Sequence, residues 1–219
     1  MKSLAWLAIG GGIAYVAIDV VLRFLRPGYS LIYNAESDYG RGPWYWVMDF
    51  NFLLRCALSL AACGALRRSA SADGRVRGGI YLLAAWAVCS GLLAFFADDV
   101  EGTPLHASGI VHLALAFIAF PCVAVGTILI SVGLQSDPAW RPAAGVLLAV
   151  AIAGAAAFLL LGLTSAHKHA APHGLYERIF LGLELLWIAL AAGYAATRRP
   201  EARTPGPLIT SSAGPGAPG

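Results

Sequence analysis

Three carboxylates and two histidines fall within the segment "FFADDVEGTPLHASGIVH", from Phe95 to His112. Carboxylate oxygens and imidazole nitrogens suit a metal ion, and a metal-bound water would hydrolyse an ester or an amide. The same groups suit proton transfer. A third reading is a polar turn between two membrane helices, because long apolar runs flank the segment. His106 and His112 are six residues apart, about 240° around a helix, so they share no face. A clamp built on one helix is therefore excluded. A metal site would draw on Asp98, Asp99, His106 and His112 together with donors from other elements. Zinc is the cofactor implied in that case; otherwise none is expected.

The elements that would position these groups are membrane spans. The 219-residue chain is 58% hydrophobic and 12% charged, and its mean hydropathy is +0.70. That composition does not suit an ordinary soluble domain. Six apolar runs approach or exceed the roughly 20 residues that cross a bilayer: Leu4–Leu25, Trp44–Leu66, Ile80–Ala97, Gly109–Leu134, Ala143–Thr164 and Ile179–Thr197. The expected fold is all-α, a polytopic bundle of six transmembrane helices, in one domain over residues 1–199. Residues 200–219, rich in Pro, Gly and Ser, read as a disordered cytoplasmic tail. The first run is too long for the apolar part of a signal peptide. Lys2, Arg67, Arg68, Arg75, Arg77, Arg141, Arg198, Arg199 and Arg203 fall on one side, against Arg26, Arg41, Lys168 and Arg178 on the other. The excess places both termini in the cytoplasm. Tyr29, Tyr33, Tyr39, Trp44, Tyr45 and Trp46 bracket the first outer loop as an interfacial aromatic belt. The expected location is a bacterial cytoplasmic (inner) membrane, crossed several times. The net charge of +3 is too small and scattered for nucleic acid, so membrane lipids and a small polar ligand are the expected partners. Cys56, Cys63, Cys89 and Cys122 lie within spans without a CxxC pair and read as packing residues.

Ionisable groups inside a membrane helix are functional candidates. Here they are Asp19, Asp49, Arg55, His112 and Glu184, with Asn51 as a neutral companion. Pro43, Pro104 and Pro172 read as helix starts, Thr103 being the N-cap before Pro104. Counted from them, Asp49 lies roughly 9 Å, His112 roughly 12 Å, and Arg55 and Glu184 both roughly 18 Å along their helices. The shared depth predicts an outward-opening polar pocket, with Asp49, Asn51, His112 and Asp19 around it and an Arg55–Glu184 ion pair as its floor. Asp19 also stands at i,i+4 from Arg23, a favourable pairing distance. Asp98, Asp99, His106 and Arg178 would guard the mouth. Asp98 and Asp99, read as the C-terminal end of the third helix, would oppose its dipole unless Arg41, Arg178, His106 or a cation answered them. His167, His169 and His173 in the last outer loop read as solvated. Glu177 and Glu184 share a face with Leu181 between them.

The stretches "RPGYSLIYNAESDYGRGPWYWVMDFNF", "FFADDVEGTPLHASGIVH" and "GLYERIFLGLELLW" together resemble the prokaryotic membrane family of domain of unknown function 998. The marks are the Ser37-x-x-Gly40 turn, the acidic Asp98–Asp99 pair, the helix bearing His106 and His112, and Arg178 opening the sixth helix. Members commonly carry a Phe-Pro-x-Asp-like segment; this chain has Phe96-Ala97-Asp98-Asp99, without the proline. The resemblance implies a six-helix membrane fold and no established activity.

Three functions fit these residues. A binding or accessory protein would hold a lipid headgroup or small polar ligand in the outer pocket. A metal-dependent membrane hydrolase is the alternative. The Ser108-x-x-x-His112 spacing distantly resembles that of ceramidase-like membrane hydrolases, but a later His-x-x-x-His is missing. A proton-coupled transporter would relay protons through Asp49, Glu184 and His112, although no broken helix or inverted repeat is evident.

Overall fold

A computed structural model describes residues 2–100, 103–165 and 171–197. The expected tail, together with His167, Lys168, His169, Arg198, Arg199 and Arg203, lies outside the described residues. Six long helices carry the fold: α1 (Lys2–Leu25), α2 (Tyr45–Ser69), α3 (Gly74–Leu93), α4 (Ala107–Leu134), α5 (Arg141–Ser165) and α6 (His173–Thr197). Each is long and apolar enough to cross a membrane. The described residues contain no strand, as lipid requires of an open chain that must satisfy its own backbone. A single 3-10 turn, Ser37–Gly40, sits in the α1–α2 connection.

Each helix packs on its chain neighbours, and α1 also packs on α6, so the bundle closes into a ring; α2 meets α6 across the middle. The helices α2, α3 and α6 are the most enclosed, whereas α1, α4 and α5 present most of their surface outward. With lipid on one side and protein on the other, little apolar area distinguishes the two faces. Helix contact then depends on close fit and polar pins. Trp86 Nε1 donates to Ser59 at 3.3 Å and Trp187 Nε1 to Ser131 at 2.9 Å, tying α3 to α2 and α6 to α4. At the end bearing the α2–α3 and α4–α5 loops, Asp137 accepts from Ser71 N at 2.8 Å, and Trp140 Nε1 donates to the Ser69 carbonyl at 3.1 Å. Asp73 caps α3 by accepting from the amides of Arg75 and Val76.

Several boundaries differ from the sequence reading. The third helix ends at Leu93, so Asp98 and Asp99 lie in the loop beyond it and the expected conflict with its dipole does not arise. The fourth starts at Ala107 with His106 in the cap position. Thr103 instead closes a local turn, its hydroxyl donating to the Val100 carbonyl at 2.6 Å. Tyr39 is fully buried and stacked on Tyr29 at 4.8 Å; it belongs to a small core of Leu22, Met48, Phe52 and Leu93, not to an interfacial belt. Tyr33, Trp44, Tyr45 and Trp46 are exposed.

Helices α3 and α4 approach each other closely at Gly79 and Gly126. A Cβ placed on Gly79 would come 2.6 Å from the Gly126 carbonyl oxygen and 2.6 Å from Ile130. Gly79→Ala should therefore cost about 1–3 kcal/mol through overpacking, read as a lowered thermal midpoint in detergent. The neighbouring Gly78, with open space around its Cβ position, provides the control: Gly78→Ala should be neutral or mildly stabilising by helix propensity.

Candidate functional site

The site begins with a buried arginine. Arg55, on the inner face of α2, is 2% exposed. Its Nε donates to Ser90 of α3 at 3.1 Å and its Nη1 to the Tyr15 hydroxyl of α1 at 3.0 Å. Tyr15 in turn donates to Glu36, in the α1–α2 connection. The guanidinium carbon lies 4.8 Å from the centroid of Trp86, 5.2 Å from Phe52 and 5.6 Å from Tyr15. Aromatic faces stabilise a desolvated cation, and a tyrosine hydroxyl relays its charge to a carboxylate. No carboxylate lies within ion-pair distance of Arg55 among the described residues, and its Nη2 has no hydrogen-bond partner there.

The expected Arg55–Glu184 pair is thus absent. Glu184 is 1% exposed but faces α5, where a Cβ on Gly154 would come 2.7 Å from its Oε1. Equal depth on two helices does not fix the direction in which each side chain points. Among the described residues no hydrogen bond reaches either Glu184 oxygen; the neighbouring Thr127 hydroxyl donates to the Val123 and Ala124 carbonyls. Nor does Asp19 pair with Arg23, whose Nη1 reaches the Pro27 carbonyl at 3.4 Å. Asp49 is half-buried on α2, close to Gly40. Asn51 is fully buried and donates to the Tyr15 carbonyl at 3.3 Å.

What Arg55 faces is a cavity of about 520 Å³ at the end of the bundle that carries the 3-10 turn. Its polar side includes Glu36, Ser37, Arg55, Asp98, His112, His173 and Glu177. Its apolar side comes from Leu113, Ala116 and Phe117 of α4 and from Phe158, Leu161 and Gly162 of α5. Phe120 also lines it and packs on Phe158 and Phe180, with ring centroids 6.4 and 5.1 Å away, as an aromatic floor. A smaller space of about 190 Å³ shares Asp98 and Leu113 with it and adds Asp38 and Asp99. Asp19, Asp49, Asn51 and Glu184 line neither space.

The α1–α2 connection is held over this cavity by α6. Glu36 N donates to Glu177 Oε2 at 3.0 Å, and Leu175 N to the Ile32 carbonyl at 3.0 Å. Arg178 Nη1 donates to the carbonyls of Leu31, Asn34 and Gly174; it is a clasp for this loop and does not answer Asp98 or Asp99. Gly174 is needed where it stands, because a Cβ there would collide with the Asn34 carbonyl. Across the mouth, Arg41 pairs with Asp38 and donates to the Asp99 carbonyl.

The two histidines have separate tasks. His106 Nδ1 lies 2.8 Å from Asp99 Oδ1, and its amide donates to Asp99 Oδ2 at 2.8 Å, so Asp99 braces the start of α4. His112 Nδ1 is 2.7 Å from the Phe96 carbonyl. A carbonyl only accepts, so Nδ1 carries the hydrogen and Nε2 of the neutral ring is an acceptor. The residues Asp98, Asp99, His106 and His112 therefore do not converge: among the described residues no three of His, Cys, Asp and Glu gather at metal-ligand spacing. The carboxyls at the mouth differ in affinity for protons. Burial pushes Asp38 up, with Asp98 adding to it and Arg41 opposing. The amide and ring of His106 hold Asp99 below the usual range.

Tyr15, Glu36, Ser90 and Glu177 escaped the sequence reading as site residues. A tyrosine in an apolar run and an acid in a textured loop give no periodic signal. Only Glu177, on one face with Leu181, carried a hint, and both line the cavity.

Six apolar helices closed into a ring define a multi-pass α-helical membrane protein. The chain belongs to the family described as Protein of unknown function (DUF998), whose family model matches residues 8–194. No curated protein and no solved structure matches it.

Two outcomes check this geometry. Tyr15→Phe removes the hydroxyl between Arg55 and Glu36 and should destabilise the protein by about 1–3 kcal/mol, read by thermal unfolding in detergent. The lowered pKa of Asp99 gives a stabilising contribution that is complete at neutral pH. It is lost as the pH falls through the acid range below about 4. Asp99→Asn should remove that part of the acid dependence.

Proposed function

We propose that this protein is a binding or accessory protein whose cavity, opening on the outer side of the membrane, holds a lipid headgroup or small polar ligand. The observation that carries the reading is Arg55: a buried cation lining a large cavity, which among the described residues has no partner for its Nη2 and no carboxylate at ion-pair distance. Burying an unpaired charge is expensive, and a ligand that supplies the missing acceptor would offset that cost. Ligand cavities of this kind commonly measure about 300–1,000 Å³, mostly apolar with a few placed polar groups. The outward orientation is supported by Arg67, Arg68, Arg75, Arg77 and Arg141, all at the opposite end. A bacterial cytoplasmic membrane suits a multi-pass helical chain with that charge bias.

Native mass spectrometry of the protein, released from membrane nanodiscs, tests the reading through the small molecules that stay bound. Arg55→Leu and His112→Ala should each lower occupancy by about tenfold or more, the effect of losing one charged hydrogen bond of 1.5–3 kcal/mol. Unchanged occupancy in both folded variants would sink the idea.

A further inference from the structure

The cavity has two kinds of wall, and its apolar wall is also its rim. Phe117 lines the space yet is 82% exposed, and Leu113, Gly162 and Ser165 likewise both line it and reach the outside. These residues stand on α4 and α5, in the halves nearest the 3-10 turn. Lower down, Phe120 of α4 and Phe158 of α5 touch and close the gap. In a chain that spans a membrane, an opening between two helices at that level faces lipid chains as well as water.

The polar wall carries charges of both signs in a fixed arrangement. Arg55 and Glu36 are joined through one tyrosine hydroxyl, so two hydrogen bonds in series put the opposite charges about 5 Å apart. The Nη2 of Arg55 is free to donate. Glu36 Oε1 is engaged by Tyr15 and Glu177 Oε2 by the Glu36 amide, while the second oxygen of each carboxylate makes no hydrogen bond among the described residues. Asp98 stands alongside, and His112 adds the Nε2 acceptor. A simple anion would meet Arg55 but face these carboxylates; a simple cation would leave Arg55 unanswered. A group with an anion and an ammonium a few bonds apart satisfies both.

We propose that a single-chain amphiphile with a zwitterionic phosphate–ammonium headgroup enters sideways between α4 and α5. Its phosphate meets Arg55, its ammonium meets Glu36 and Glu177, and its chain lies along Phe117 and Leu161, with Gly162 at the opening. An ethanolamine-type headgroup, with two carbons between its charged ends, has the span that the Arg55–Glu36 pair requires. The inference rests on the cavity being a ligand site and adds its entrance and its ligand class.

The test uses the full chain in nanodiscs and lysophosphatidylethanolamine carrying a photoactivatable group on its acyl chain, with cross-links mapped by mass spectrometry. Labelling is expected on α4 and α5 around Phe117 and Gly162, and lysophosphatidylethanolamine without the photoactivatable group should compete. Gly162→Trp fills the opening at a position where a Cβ meets nothing within 4 Å. It should lower labelling by about tenfold with an unchanged thermal midpoint, while binding of free phosphoethanolamine persists. Arg55→Leu should lower both by about tenfold or more. If Gly162→Trp labels like the parent protein, sideways entry is wrong although a ligand site remains. Equal competition by lysophosphatidic acid or by a long-chain alkylamine would overturn the zwitterionic assignment alone. If phosphoethanolamine does not bind and Arg55→Leu labels as strongly as the parent, the ligand site itself falls.

Discussion

Taking one guanidinium out of water and into the middle of a helical bundle constrains everything around it. Arg55 is accommodated by three aromatic faces, a serine of α3 and a tyrosine of α1. The tyrosine passes the charge to Glu36, and the Glu36 amide is held by Glu177 of α6. A single chain of polar contacts therefore joins four of the six helices and the first long loop. Helices that gain little from hydrophobic burial against one another are brought into register by groups that would be costly to leave apart. The loop, otherwise free to vary, becomes part of the wall of an internal space.

The architecture was legible because the physics of the bilayer is coarse. Apolar length needs no knowledge of partners, and six spans follow from it directly. The polar layer was legible in depth but not in direction. Arg55 and His112 do face the cavity, whereas Asp49 and Glu184, at depths read in the same way, do not. A rise per residue locates a side chain along the membrane normal. Its angle around the helix is settled by close contacts, such as Glu184 against Gly154, which no one-dimensional count contains. Tyr15 and Glu36 show the opposite case: residues ordinary for their segments acquire importance only through each other.

The expected helix start at Thr103–Pro104 had the right residue types for a cap and proved to be a local turn, with His106 and Asp99 marking the true start. Capping chemistry was correctly sensed in this segment and assigned to the wrong pair. The start of α4 moves three residues along the chain, and the earlier end of α3 at Leu93 turns Asp98 and Asp99 from the end of a helix into the material of a loop. One of these acids then braces α4, and the other faces the cavity.

Pro121 lies within α4, one turn beyond Phe117. Proline supplies no amide hydrogen, so the bond that would run from residue 121 back to the Phe117 carbonyl is missing. Among the described helices, α4 is the one with a proline in its interior. The helix is therefore one backbone hydrogen bond short just below the exposed phenylalanine, while the segment beyond packs closely on α3 at Gly79 and Gly126. One strut of the ring thus has a gap in its backbone ladder on the side of the cavity and its tightest seam on α3 at the other end.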